Sequence, residues 1–549
     1  MIPRALPCPA FGPTPPPCAP RPAARAGLLA LGLALLWPLP PQARAGEEPL
    51  SAIDWLSQSV TAPAVPPAPA EPPVASGGAL PITVVSTPLD GPAPDAIGLI
   101  APAVSGLPQA LWGAGLSAEI SEAVLRNRME SLPALRQLFL TMLLAETAPP
   151  IDSGGKGTLL LARIDKLLLI GALEQAAALL DISGTATPEL FRRAFDIALL
   201  TGREDRACAR MREAPGLAPT LQARVFCLAR AGDWDAAALT LQTAGALAEI
   251  DGTRAEMLAR FLDAELFEGD PLPPPPNPVT PLDWKIHEAV GETIPTAALP
   301  VAFAYAETSA QSGWKAQIEA AERLTRAGAI APNVLLGLYT ERAPAASGGV
   351  WDRVSAFQRF DAALQSGAAE RIAAALPQVW TRMQEAELEV PFAQLFGREL
   401  AGIVGQALDD PSAFPPETRR IALRVALLSP EAERLATRLR AAPEAGLTAE
   451  EAFLVGLALG RVEGLRAPTA MGRAISPAFL APAPSSRSAT LVAEKRPGEA
   501  ILSAIEEIAR GVEGDLAGVT QGLSLLREIG LESFARRTAL ELMILERRG

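Results

Sequence analysis

Leu228-Ala229-Arg230-Ala231-Gly232-Asp233-Trp234-Asp235-Ala236-Ala237 is the stretch on which the reading of the fold turns. A glycine stops one helix because it enters the left-handed backbone region without a Cβ penalty. Five residues on, the small Ala237 falls one turn into the next helix, where it lets two helix axes approach closely. The same spacing occurs twice upstream, where Gly171 leads to Ala176 and Gly202 to Ala207. These glycines stand 31 and 30 residues apart, and nine residues past each comes Leu180, Met211 or Leu241. That apolar residue continues the buried stripe of an amphipathic helix. Near the carboxyl end, Gly530 leads to Ala535 in the same way. One hairpin cannot cover its own apolar face, so the period predicts an all-α chain, a curved solenoid of stacked antiparallel helical hairpins.

Composition points the same way. Hydrophobic residues make up 49% of the 549, yet there are only 2 Tyr, 16 Phe and 8 Trp, and Ala and Leu dominate. Ala and Leu favour helices, whereas sheets draw on β-branched and aromatic residues.

The 228–237 copy resembles the turn of the tetratricopeptide repeat, in which Gly, a polar residue, an aromatic and then Ala link paired helices. The resemblance covers residues 159 to about 250 and implies a tetratricopeptide-like fold with degenerate repeats. It casts Gly232 as the turn glycine, Trp234 as the packing aromatic and Ala237 as the close-contact alanine. Most other copies lack the aromatic, and no proline closes each unit.

The amino end reads as an address. Arg21 and Arg25 precede an apolar run from Ala26 to Trp37, then Pro38-Leu39-Pro40 and Ala43-Arg44-Ala45. That order of basic flank, apolar core and small-x-small site is a secretory signal peptide over 1–45, with cleavage expected after Ala45. An uncleaved anchor is the alternative, although the run is short of the roughly 20 residues a bilayer crossing needs. Residues 46–106, rich in Pro, Ala and Ser, predict a disordered tether, because prolines deny it both helix and central strand. Within it, 50–60 is a short amphipathic segment whose Ile53, Trp55 and Leu56 are candidate contacts for docking on a partner. Folding back on its own chain and remaining disordered are the other readings. Helical blocks are expected at 107–270 and 271–480, parted by the run Pro271 to Pro276. A linker at 481–497 would then isolate a last helical unit, 498–549.

Cys208 and Cys227 flank the turn around Leu217 and Ala218 at matched levels of neighbouring helices. Antiparallel helices could bring their Cα atoms within the ~4.4–6.8 Å that a disulfide requires, and export sets an oxidising context. Two buried free thiols remain the alternative.

Little in the sequence suggests chemistry. The formal charge of −13 becomes −17 without the leader, with 44 basic residues against 61 acidic, and no basic stripe interleaves with aromatics, which argues against nucleic acid. The single histidine, His287, has no His or Cys neighbours in sequence for a metal site or triad. Gly154-Gly155-Lys156-Gly157-Thr158 misses the phosphate-loop order, because Gly157 separates Lys156 from Thr158. Acid pairs such as Glu450-Glu451 and Glu506-Glu507 each give at most one inward carboxylate on a helix. The expectation is therefore a periplasmic scaffold that binds protein partners in the cell envelope, with no cofactor, no catalysis and no membrane span after signal cleavage. The alternatives are a glycan-processing enzyme on a helical toroid and a carrier of a small ligand or glycan.

Overall fold

Twenty-three α-helices of eight residues or more build the protein in a computed structural model, which describes residues 93–128, 132–442 and 446–545. No described residue belongs to a β-strand, and among them a single isolated parallel bridge joins Ile100 to Ala145. The leader expected over 1–45 and the segment carrying Ile53, Trp55 and Leu56 lie outside the described residues.

The first group holds α1 (Ser117–Arg126), α2 (Pro133–Leu144), α3 (Thr158–Leu169) and α4 (Leu173–Ser183). Next come α5 (Pro188–Leu200), α6 (Glu204–Glu213), α7 (Leu221–Arg230), α8 (Trp234–Ala246), α9 (Gly252–Leu262) and α10 (Pro281–Val290). The middle contains α11 (Trp314–Arg326), α12 (Pro332–Thr340), α13 (Val350–Ser366), α14 (Ala369–Glu385) and α15 (Glu389–Asp409). It continues through α16 (Pro416–Leu427), α17 (Ala432–Arg440) and α18 (Ala449–Ala458). The last group is α19 (Ala470–Leu480), α20 (Ser486–Ala493), α21 (Pro497–Val512), α22 (Leu516–Glu528) and α23 (Glu532–Ile544).

The glycine turns take one geometry. Gly171, Gly202, Gly232 and Gly530 all have positive φ, between 68° and 86°. In each, the residue after the glycine donates its N–H to the carbonyl five residues back, as in Ala172 to Leu167 at 2.8 Å and Asp233 to Leu228 at 3.0 Å. This is the bond that closes a helix C-terminus and satisfies its orphan carbonyls. A new helix begins two residues past each glycine. Ala176, Ala237 and Ala535 are fully buried, as close helix packing demands. Trp234 departs from its expected packing role, since it is 51% exposed. Helix α8 buries only Ala237 and Ala244, a stripe too narrow to bring the tryptophan inside.

Two cores result. The smaller joins α5–α10 and encloses the disulfide between Cys208 on α6 and Cys227 on α7, whose Cα atoms are 5.0 Å apart. The chain passes the prolines at 271–276 without changing core, because Leu282 and Ile286 of α10 pack with Met257 and Leu258 of α9. The larger core runs from Ile97 to Leu545. Residues 481–497 hold α20, and the last helices are not set apart from the rest. Gly498 N–H donates to the Leu111 carbonyl at 2.7 Å, and α23 packs on α2. Packed neighbours therefore form a closed circuit: α2, α3, the turn Val301–Phe303, α11, α12, α15, α16, α18, α23 and α2 again.

Carboxylates from elsewhere in the chain cap the first three helices, whose own N-cap residues supply no side-chain bond. Asp152 accepts from Ser117 N–H and Oγ at 2.7 Å each, and these bonds hold its carboxyl below the usual range. Glu541 of α23 accepts from Ala134 N–H at 2.8 Å. Asp95 accepts from Leu160 N–H at 2.8 Å and from Ser153 Oγ at 2.6 Å. Each carboxylate satisfies orphan donors at a positive helix end. Asp95 also fastens residues 93–106 to the body, so the expected tether gives way to packed chain before Gly106. Arg163 completes this clip by donating to the carbonyls of Leu143, Ile97 and Ala145.

Candidate functional site

Several helices of this circuit, with α4 beside them, line a cleft of ≈ 380 Å³ to which distant parts of the sequence contribute. Gln137 of α2, Gln175 of α4, Gln394 of α15 and Arg537 of α23 line it, with the α11–α12 turn and the end of α16 between them. Two lining atoms are buried without a hydrogen-bond partner, Gln175 Oε1 and Thr325 Oγ1. Polar atoms in that condition cost free energy unless something satisfies them.

Two turns shape the cleft wall. Gly328 has φ 72° and Glu387 φ 56°, and both close with the bond found in the repeat turns: Ala329 to Leu324 at 2.9 Å and Leu388 to Met383 at 2.8 Å. The second turn thus places a side chain where glycine is the easy residue, at a cost of about 1–2 kcal/mol. Glu387 lies where this cleft meets a second cavity of ≈ 800 Å³.

The second cavity is basic. Arg126, Arg128, Arg136, Lys166, Arg323 and Arg326 line it, and Glu387 is the one acidic residue among the described residues that do so. Lys166 lies near the end of α3 and donates to the carbonyls of Leu125 and Asn127. Arg323 donates to the carbonyls of Thr296 and Leu299 at 2.9 and 2.8 Å, and Arg326 to that of Ala386 at 2.9 Å. Burial pushes the Lys166 amine below its ordinary value. Burial also lowers Arg323, with Glu307 opposing the shift and the charge of Arg326 adding to it. Arg126 pairs with Glu122 at 2.8 Å.

The groups singled out in sequence do not converge here. Cys208 and Cys227 are joined in the smaller core. His287 is buried, with Nδ1 against the Asp283 carbonyl at 2.8 Å and Nε2 without a partner. The glycines at 154–157 form a turn whose Ser153 serves Asp95. Glu450 pairs with Arg424 at 2.8 Å, and Glu451 completes a capping box with Thr448. Glu507 is the inward acid of its pair and accepts from Ser485 Oγ at 2.6 Å. Among the described residues, no three His, Cys, Asp or Glu side chains are placed to hold a metal ion. None of their helices is long and apolar enough to cross a membrane.

The basic cavity is what sequence reasoning missed. Its cations come from separate segments near 126, 136, 166 and 325, so no local run announces them. No protein family, no curated protein and no solved structure matches the chain.

Proposed function

We propose that this is an exported binding protein of the cell envelope, an array of tetratricopeptide-like helix pairs that receives a segment of a partner protein in its central cleft. The observation that carries the reading is the cleft itself. Residues from Pro133 to Glu541 meet around it, and buried polar atoms there lack partners. Extended concave surfaces of stacked helix pairs suit peptides. The Cys208–Cys227 disulfide suits an oxidising compartment, in keeping with the leader read over 1–45.

Site-specific photo-crosslinking in cells tests this. A photoreactive residue at Gln137 or Gln394 is expected to give discrete protein adducts from the periplasmic fraction, and one at the exposed Arg192 is not. Adducts equally abundant from all three positions, or an unprocessed chain confined to the cytosol, would overturn the reading.

A further inference from the structure

Charge accounting around the basic cavity leaves an excess. Arg126 pairs with Glu122, and Glu387 on the cavity wall offsets one further positive charge. Four positive charges then remain among Arg128, Arg136, Lys166, Arg323 and Arg326. Glu307 acts on Arg323 and removes one charge. Four helix carboxyl ends also face this region, those of α1, α3, α11 and α14, each worth about half a negative charge. The balance among the described residues is about one positive charge held next to a cavity, in a chain whose net charge is −13.

Capping of helix ends explains why Lys166 and Arg326 bond carbonyls, but it leaves this surplus standing. Bringing cations out of water is unfavourable unless an opposite charge compensates them. A guanidinium has five donors, and the carbonyls accept two from Arg323 and one from Arg326, so both keep donors for a ligand.

The geometry points to an anion site in this cavity, formed by Lys166, Arg323, Arg326 and Arg128, that takes an oxyanion, either a phosphate group or a carboxylate. It rests on the cleft being a binding site and names the chemistry recognised at one end of it. Arginine forks match both groups because each presents two oxygens to a planar pair of donors. The volume of ≈ 800 Å³ leaves room for the rest of a ligand to continue past Glu387 into the adjoining cleft.

Calorimetric titration of the purified full-length chain at low ionic strength tests the site, with pyrophosphate, inorganic phosphate and succinate as separate probes. One equivalent of at least one probe is expected to bind, and added salt should weaken it. Stronger binding of the phosphates identifies a phosphate ligand, and stronger binding of succinate a carboxylate. Arg326→Gln should weaken binding roughly tenfold, the worth of one charge-assisted hydrogen bond. Because Arg326 also bonds a carbonyl, the exposed Arg128→Glu serves as a variant that leaves the packing intact. It too should weaken binding, whereas Arg210→Gln, beside a different groove, should not. No binding of any probe at millimolar concentration by folded protein would sink the anion site. Equal binding by wild type, Arg326→Gln and Arg128→Glu would do the same. Anion binding without partner adducts in the cleft would instead refute the partner reading and leave the site standing.

Discussion

Replacing Asp95 by alanine should release residues 93–106 from the helical body. Three losses coincide at that carboxylate. Leu160 N–H loses its cap, worth about 1 kcal/mol. Ser153 Oγ and Leu160 N–H become buried donors without acceptors, at about 1–3 kcal/mol each if nothing replaces the oxygens. Arg163, fully buried and pushed down to about 10 by that burial, loses the nearby charge that opposes the shift. These terms overlap, so the expected total is about 3–5 kcal/mol rather than their sum. Hydrogen exchange gives the local readout, because Leu99 and Ile100 donate to the Leu144 carbonyl at 2.7 and 3.1 Å. In Asp95→Ala their amides should exchange roughly a hundredfold faster than in wild type, with the amides of α13 to α15 unaffected. Asp95→Asn keeps an acceptor for Leu160 and should fall between the two. Exchange within threefold of wild type at Leu99 and Ile100 would refute the clip and return this stretch to the tether.

Three further outcomes follow from other parts of the molecule. Reducing the Cys208–Cys227 disulfide, or replacing both cysteines by alanine, should destabilise the α5–α10 core by about 3 kcal/mol, given the loop of 19 residues; identical oxidised and reduced melts would contradict this. Gly498→Ala would set a Cβ 2.7 Å from the Trp112 ring and 2.8 Å from the Leu111 carbonyl, costing about 1–3 kcal/mol and loosening the contact between chain ends, measured as faster exchange at Gly115 and its neighbours. Burial pushes the Asp196 carboxyl up to about 6, against the pull of Arg192 and Arg193 and with help from Asp165. The native state therefore holds that proton more tightly than the unfolded chain, and stability falls as pH rises from about 4 to about 6. Asp196→Asn should remove this decline and add about 1 kcal/mol at neutral pH, a figure reduced for solvent reaching the side chain. Urea midpoints of both proteins that shift in parallel with pH would show that Asp196 has no such effect.

The glycine turns between helices were legible because each depends on a single residue type. A left-handed position costs a side chain about 1–2 kcal/mol, so glycine marks Gly171, Gly202, Gly232 and Gly530 openly. Ala248, Glu387 and Lys495 adopt the same conformation, and Glu249, Leu388 and Arg496 make the same backbone bond. Those turns carry no glycine and so left no trace in the spacing. Residues 93–106 were hidden for a different reason. The helical turns there, Pro94–Ala96 and Pro102–Ser105, are very short, and Asp95 and Arg163 fasten the stretch through bonds between groups far apart in sequence, which no local pattern encodes.

The candidate site follows the same logic, which bears on how it came to be missed. A motif is readable when one short segment supplies several of its groups, as a phosphate loop does. Here the cleft exists only because α23 returns to α2, where Glu541 caps a helix that begins 408 positions earlier at Pro133. The basic cavity likewise assembles single cations from segments far apart in sequence, near α1 and on α2, α3 and α11. Of these, Arg136 stands on α2, the helix against which α23 packs. A change that parts the chain ends, such as Gly498→Ala, acts far from Arg326 and removes none of the cations, yet it disturbs the wall formed by α2 and α23. Weaker anion binding in that variant, with Arg323 and Arg326 intact, would tie the site to the circuit rather than to any one helix.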